Sequence, residues 1–85
     1  RMTSKESRQA AKNLGYEKTN YIAKNGEPIY YSAKTKTYIS QGIGSGDGSG
    51  PHKGGVWKMA NSPQNLNSKA TRLGTYDENL NRIGD

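Results

Sequence analysis

The chain has 85 residues and a formal net charge of +6 at pH 7, and only 29% of its residues are hydrophobic. This length predicts a single domain spanning residues 1–85 with a small core. The absence of cysteine excludes a disulfide framework, and one histidine without cysteine argues against a zinc site. No apolar run reaches the roughly 20 residues of a membrane span, so we expect none.

The excess of positive charge points to an anionic partner. Thirteen lysine and arginine residues stand against seven acidic ones. Basic domains of this size commonly bind nucleic acid, because contacts to phosphates release counterions. An acidic protein partner selects the same charge, so composition alone leaves both classes of partner open.

The N-terminal half predicts one helix followed by β-hairpins. Helix-forming residues follow Thr3 and Ser4, either of which can cap a helix, and Gly15 is a typical C-terminal stop. These signals predict a helix within residues 3–15. Residues 16–40 predict β-hairpins, because Asn25-Gly26 is a strong hairpin dipeptide. The individual strands are predicted at 16–22, 28–31 and 36–40, with a turn at 33–36 between the last two.

The C-terminal half begins with a loop of alternating glycines at 42–50. It does not match a Walker phosphate loop, because Lys53 is followed by glycine rather than serine or threonine. A short strand is predicted at 56–60, and Ser62-Pro63 predicts the start of a brief helix that runs through Leu66. The tail, 70–85, predicts strand, turn and strand, so we expect 51–85 to form a β region that carries the catalytic residues.

His52 is the residue best suited to proton transfer, because an imidazole can both accept and donate a proton near neutral pH. Cleavage of RNA by the ribose 2′-OH needs a proton acceptor, a proton donor and a cation that stabilises charge on the phosphorane. We assign the cationic role to Lys58 and Arg72. Lys53 is a weaker cation because two glycines follow it, and a loop histidine without any role is the alternative for His52.

Trp57 has two possible roles, as the main core anchor or as a stacking platform for a base. If Trp57 points inward, strand alternation turns Lys58 to the other face, beside the loop that carries His52. Asp47 in the preceding loop could orient the imidazole, although an exposed acid is the commoner interpretation of a loop aspartate.

The residues around Gly74 offer hydroxyls, a guanidinium and a carboxylate close together in sequence. They suit a bidentate grip on phosphate. A solvated hairpin in which Arg72 pairs with Asp77 or Glu78 is the alternative. The predicted catalytic residues are His52, Lys58, Arg72 and Thr75, the predicted substrate-binding residues are Lys53, Trp57, Lys69, Thr71 and Tyr76, and no metal or other cofactor is predicted.

Two sequence blocks and an N-terminal stretch resemble a known family. The blocks are His-x-Gly-Gly-x-Trp-Lys, starting at His52, and Gly-Thr-Tyr-Asp, starting at Gly74 and followed by Arg-Ile-Gly-Asp; the stretch is 11–19. They resemble the C-terminal toxin domains of bacterial polymorphic toxins, notably contact-dependent growth inhibition effectors, of the predicted-RNase class called novel toxin 21. The resemblance covers nearly the whole chain. The matching positions are His52, Gly54, Gly55, Trp57, Lys58, Thr71, Arg72, Thr75, Tyr76 and Asp77.

Because attack by the ribose 2′-OH on its own phosphate needs no metal, we expect a metal-independent enzyme. The resemblance implies an RNase that cuts tRNA in the cytoplasm of a neighbouring bacterium. It implies a secreted or cell-surface effector that a cognate immunity protein neutralises, with an acidic surface expected on that protein. Elongation factor Tu is a candidate further partner, because some relatives depend on it. The implied fold is α+β, with an N-terminal helix packed on a small twisted antiparallel sheet, of the barnase/EndoU/colicin/RelE-like type.

Three other functions stay open from the sequence. One is a basic RNA-binding domain without catalysis, whose binding would weaken with salt. The second is a DNase toxin that needs a divalent metal, against which the scarcity of clustered acids and imidazoles argues. The third is an interaction module whose basic face receives an acidic protein.

Overall fold

A computed structural model of the chain describes residues 3–24, 26–42, 57–68 and 70–84. Within these residues one α-helix precedes six strands. No helix among them is both long and apolar enough to cross a membrane. The elements are α1 (Ser4–Asn13), β1 (Glu17–Ile22), β2 (Pro28–Ser32), β3 (Thr37–Gln41), β4 (Trp57–Ala60), β5 (Gly74–Tyr76) and β6 (Arg82–Gly84), with a 3₁₀ helix, Gln64–Asn67, between β4 and β5.

Helix α1 begins with a capping box formed by Thr3 and Glu6. The Thr3 hydroxyl accepts the backbone N–H of Glu6 at 3.2 Å, and the Glu6 carboxylate accepts the backbone N–H of Thr3 at 2.9 Å. Hydrogen bonds between the Glu6 carboxyl and Thr3 lower the pKa of that carboxyl; the bond with the Thr3 backbone has the larger effect and the bond with the Thr3 side chain the smaller one. Thr3 rather than Ser4 is therefore the N-cap. The helix ends at Asn13 with Leu14 as its C-cap, and the chain then turns through Gly15, which has a φ of +91°.

The six strands form one antiparallel sheet in the order β1-β2-β3-β4-β5-β6. The fold is therefore α+β, with a helix on an antiparallel sheet, as the sequence predicted. The strand boundaries lie within one residue of those predicted for β1, β2 and β3. The predicted brief helix is a single 3₁₀ turn that begins at Gln64, with the Ser62 hydroxyl accepting the N–H of Asn65 at 3.3 Å.

One side of the sheet, the helix face, packs against α1. Side chains alternate along a strand, and directly paired residues share a face. The pairs Tyr30↔Ile39, Ile39↔Met59 and Trp57↔Tyr76 therefore lie on one side. With Ala11 and Tyr16 they form the main core, in which Tyr30 meets Trp57 edge to face with ring centroids 6.1 Å apart.

The other side of the sheet, the lysine face, carries Ile29, Ser40, Lys58 and Thr75 along one row of paired residues. It has a second, smaller apolar cluster, in which Leu66 of the 3₁₀ helix covers Ile29 and Ala60. The 3₁₀ helix therefore covers only part of this face, and the polar members of the row lie beside it.

Candidate functional site

The lysine face brings three polar side chains together across strands β3, β4 and β5. Lys58 pairs directly with Ser40 on one side and with Thr75 on the other. Directly opposed residues in an antiparallel pair have Cβ atoms roughly 5 Å apart, so the three side chains are neighbours. Lys58 and Thr75 were predicted as catalytic residues, and the strand register places them side by side.

Lys58 lies in a setting that disfavours its charge. The side chain is half-buried, and burial, with a smaller contribution from the positive charge of Arg72, lowers the pKa of its ammonium group. An ammonium group that has lost part of its hydration gains more from a bound anion than a fully solvated one does. The arrangement is therefore suited to contact a phosphate.

Arg72 reaches the same site from the connection between β4 and β5. Its backbone N–H bonds to the carbonyl of Ser68 at 3.0 Å, and the next N–H, of Leu73, bonds to the carbonyl of Met59 at 2.7 Å. These bonds fix the segment beside β4. The Nε atom of Arg72 is buried without a hydrogen-bond partner among the described residues. The charge of Arg72 acts on Lys58, so the two cations lie near each other, and their catalytic roles stay predictions.

Ser40 belongs to this site although the sequence did not single it out. It has no exposed surface, and its hydroxyl has no hydrogen-bond partner within the described part of the chain. A serine next to Ile39 in a strand is a common pattern and gives no functional signal. Only the register that pairs β3 with β4 puts it opposite Lys58.

Trp57 is a core residue and offers no surface for stacking. It has no exposed area, and its indole packs against Tyr30 on the helix face. Of the two roles weighed for it, the structure therefore supports the core anchor, and the assignment to substrate binding lacks the exposed ring face that stacking needs. Its inward orientation turns Lys58 to the lysine face, as expected from alternation.

Tyr76 and Thr71 are also placed differently from the prediction. Tyr76 pairs with Trp57 and packs against the main core, so its side chain lies on the face opposite Lys58. The Thr71 hydroxyl donates to the carbonyls of Asn65 at 2.9 Å and Ser68 at 3.2 Å. Thr71 therefore stabilises the connection that holds Arg72. Proximity in sequence did not reveal which face each residue takes.

The remaining predicted site residues lie outside the described ranges. His52, Lys53 and Lys69 are among them, as are Asp47 and most of the glycine-rich loop. Their assignments stay predictions. The chain leaves β3 after Gln41 and enters β4 at Trp57, so the segment that contains His52 joins two neighbouring strands of the site.

A buried polar pair lies at the end of β3 where that segment begins. Glu27 is 6% exposed and Gln41 is 1% exposed, and the Gln41 amide donates to the Glu27 carboxylate at 3.2 Å. Sequence reasoning missed this pair, because Glu27 and Gln41 meet only through the β2–β3 register. The pair fixes the strand end from which the His52 segment departs.

Asp77 has a structural role in the β5–β6 turn. One of its carboxylate oxygens accepts the backbone N–H groups of Asn79 at 2.9 Å and Asn81 at 2.8 Å. These bonds close the turn directly after Thr75 and Tyr76. Among the described residues, no group of three histidine, cysteine or acidic side chains is arranged to hold a metal ion.

Comparisons with known proteins give matches along nearly the whole chain. The family model described as novel toxin 21 matches residues 9–85. A protein of Enterobacter cloacae subsp. cloacae named 16S rRNA endonuclease CdiA is 36% identical over 89 residues, which cover 99% of this chain. The chain spans only 2% of that relative's length.

A solved structure is similar as well. It is described as the CdiA-CT/CdiI toxin and immunity complex from Enterobacter cloacae. The TM-score is 0.63 at 35% sequence identity, and the match covers 99% of this chain and 100% of that one. The similarity therefore extends over the helix and the sheet together.

These comparisons correct one prediction and establish the family. The expectation of tRNA as the substrate is wrong, because the relative that matches 99% of the chain is named for cleavage of 16S rRNA. A basic face suits any RNA, so charge and motifs could not distinguish the two. With a family model matching residues 9–85, the chain belongs to the novel toxin 21 family.

Proposed function

We propose that this chain is an endoribonuclease toxin module that cleaves 16S rRNA. The observation that carries the proposal is the 36% identity to a 16S rRNA endonuclease over 99% of the chain. The net charge of +6 and the paired cations of the lysine face support it, because both favour a polyanionic substrate.

In the proposed reaction the scissile phosphate lies on the lysine face. Lys58 and Arg72 contact its non-bridging oxygens, and their charge stabilises the phosphorane more than the ground-state phosphodiester. Thr75 flanks Lys58 and supplies a hydroxyl for positioning, and Ser40 lies buried on the other side of Lys58. The partial burial of Lys58 strengthens this contact, because the effective dielectric is lower there than in water.

The proposed chemistry is attack by the ribose 2′-oxygen on the adjacent phosphorus. The 2′-hydroxyl loses its proton to a base, the 2′-O–P bond forms, and the P–O5′ bond breaks as the leaving oxygen gains a proton. The products are a 2′,3′-cyclic phosphate and a free 5′-hydroxyl. His52 is the proposed proton-transfer residue, since it is the chain's one imidazole and its segment joins β3 to β4.

The proposal includes delivery and inhibition. The similar solved structure is a toxin bound to an immunity protein, which supports an immunity protein as the partner of this chain. We propose delivery by a contact-dependent growth inhibition protein and action in the cytoplasm of the target cell. A barnase/EndoU/colicin/RelE-like fold agrees with a helix on an antiparallel sheet. Elongation factor Tu, a candidate further partner from the sequence, has no support in the matched relatives, and the proposed reaction does not need it.

The test is cleavage of 16S rRNA in purified 30S ribosomal subunits with EDTA present. We expect a discrete cut, mapped by primer extension, with a 2′,3′-cyclic phosphate end. Lys58→Met keeps most of the unbranched apolar side chain and removes its charge. Loss of one stabilising group of this kind lowers kcat by about 100- to 1000-fold.

The matched control is Lys24→Met, which removes an exposed lysine from the β1–β2 connection. It should cleave at the rate of the parent chain. Intact 16S rRNA after incubation with the parent chain would contradict the proposed function. Equal rates for Lys58→Met and the parent would remove Lys58 from the mechanism.

A further inference from the structure

The outer surface of α1 forms a basic groove with strand β1. Lys5, Arg8 and Lys12 recur at helical spacing on one side of α1, and Lys18 of β1 lies across from them. The space between is about 690 Å³. Residues separated by three, four and seven positions share one side of a helix, so the three cations line the groove from end to end.

The groove continues past the end of the helix. An adjoining cavity of about 420 Å³ shares Lys12 and Lys18 with it and adds Lys34 from the turn between β2 and β3. Two tyrosines, Tyr16 and Tyr31, also line this second part. We define the basic groove by its five cations, which are Lys5, Arg8, Lys12, Lys18 and Lys34.

The charge balance of the basic groove strongly favours an anion. Glu6 and Glu17 are the acidic residues that line it. The Glu6 carboxylate is already committed to the backbone N–H of Thr3 in the capping box. Like charges three or four positions apart destabilise a helix, so the spacing of Lys5, Arg8 and Lys12 costs stability when nothing is bound. A bound polyanion relieves that repulsion.

The basic groove is remote from the candidate cleavage site. It lies along β1, at one edge of the sheet, and α1 covers the helix face, whereas Ser40, Lys58 and Thr75 lie on the lysine face of β3, β4 and β5. The described molecule measures 30 × 27 × 23 Å, so one extended nucleic acid can contact both regions around the sheet edge.

We propose that the basic groove binds the phosphate backbone of the rRNA outside the cleaved segment. From Lys5 to Lys12 the helix advances about 10 Å, so three cations follow one line, as the charges of a polynucleotide strand do. The inference depends on the proposed function only for the identity of the RNA.

The test measures binding separately from cleavage. Both members of a matched pair carry Lys58→Met, which is expected to slow turnover enough for binding to be measured. One adds Lys12→Gln and Lys18→Gln in the basic groove, and the other adds Lys24→Gln and Lys36→Gln, two exposed lysines that do not line it. Binding of labelled 16S rRNA is then measured in EDTA over a range of salt concentrations.

We expect the groove variant to bind about tenfold more weakly than the control at about 0.1 M salt, with a salt slope shallower by about two. Arg8→Gln with Lys34→Gln should weaken binding in the same way, which protects the result against a folding defect in one variant. Equal affinities of groove and control variants would overturn the inference. A groove variant that loses only its affinity for the immunity protein would overturn it too.

Kinetics on 30S subunits separate this inference from the proposed function. With Lys58 intact, the groove variant should raise KM and leave kcat unchanged. A short oligoribonucleotide that spans only the mapped cut should be cleaved equally by both variants. If the parent chain leaves 16S rRNA intact, the proposed function is wrong. The binding measurement still shows whether the basic groove binds RNA.

Discussion

The two faces of the sheet are built from the same strands but have different roles, one in stability and the other in the proposed chemistry. On the helix face, side chains from β2, β3 and β4 are closed off by α1 and contribute Tyr30, Ile39 and Trp57, none of which has exposed surface. On the lysine face, the same strands present Ser40 and Lys58, and the 3₁₀ helix covers only the neighbouring apolar cluster. Alternation along each strand assigns stability to one face and proposed chemistry to the other.

The contrast shows how a domain with so few apolar residues can hold a charged site. The core is small, and its larger cluster lies on the helix face while a smaller one lies under the 3₁₀ helix on the lysine face. Burying part of Lys58 beside Arg72 lowers the stability of the folded chain. Apolar contacts on the opposite side of β4 offset that loss. Three substitutions on these faces test the separation.

The largest expected effect is on the helix face. Trp57→Ala removes the largest fully buried side chain and its contact with Tyr30. Truncation of a buried aromatic residue costs about 3–5 kcal/mol, which is most of the stability of a small domain. Urea unfolding followed by circular dichroism measures the loss. Trp57→Phe, which keeps a ring in the core, is the control and should lose markedly less.

The second expected effect is on the lysine face, where a substitution should raise the stability of the chain and not lower it. Lys58 has a lowered pKa in the folded chain, so the unfolded chain holds more protons between that value and the ordinary value of 10.5. Folding stability therefore rises with pH through this window, because deprotonation removes a charge that the fold disfavours. Below the window the full cost is present, and Lys58→Met should stabilise the chain.

The gain from Lys58→Met is expected to be under about 1 kcal/mol, because the lysine is half-exposed and solvent screens it. Urea titrations of parent and variant at neutral pH and near pH 10 measure it, and the difference between the two proteins should shrink at the higher pH. A variant that is less stable than the parent at neutral pH would show that Lys58 supports the fold.

The smallest expected effect on stability is at Ser40. Its buried hydroxyl has no hydrogen-bond partner among the described residues, so Ser40→Ala removes an unsatisfied group and should change stability by less than about 1 kcal/mol. Because the buried hydroxyl does not contact the substrate, kcat on 30S subunits should stay close to that of the parent chain. A marked fall in kcat would show that Ser40 acts in the site.

Local sequence signals predicted the helix and the strands. Which side chains meet across the sheet depends on the strand register, which the sequence did not show. The helix start at Thr3 or Ser4, the stop at Gly15 and the turn at 33–36 depend on a few neighbouring residues, so the sequence predicted them, and the structure selects Thr3 as the cap. The meeting of Ser40 with Lys58, and of Glu27 with Gln41, depends on how strands pair across longer separations. The assignment of Tyr76 to the substrate site ignored this, since one residue of offset from Thr75 puts it on the opposite face.

The order of the strands has a consequence for how the chain folds. Every strand pairs with its neighbour in sequence, so the sheet needs no crossover, and contacts of short separation favour rapid folding. The two longest connections, 42–56 and 61–73, both flank β4, whereas the others are the short turns 23–27, 33–36 and 77–81. Loop closure costs more entropy as loops lengthen, so docking of β4 is the costliest step. Because β4 carries Lys58, the residues of the candidate site come together only after both of these connections have closed.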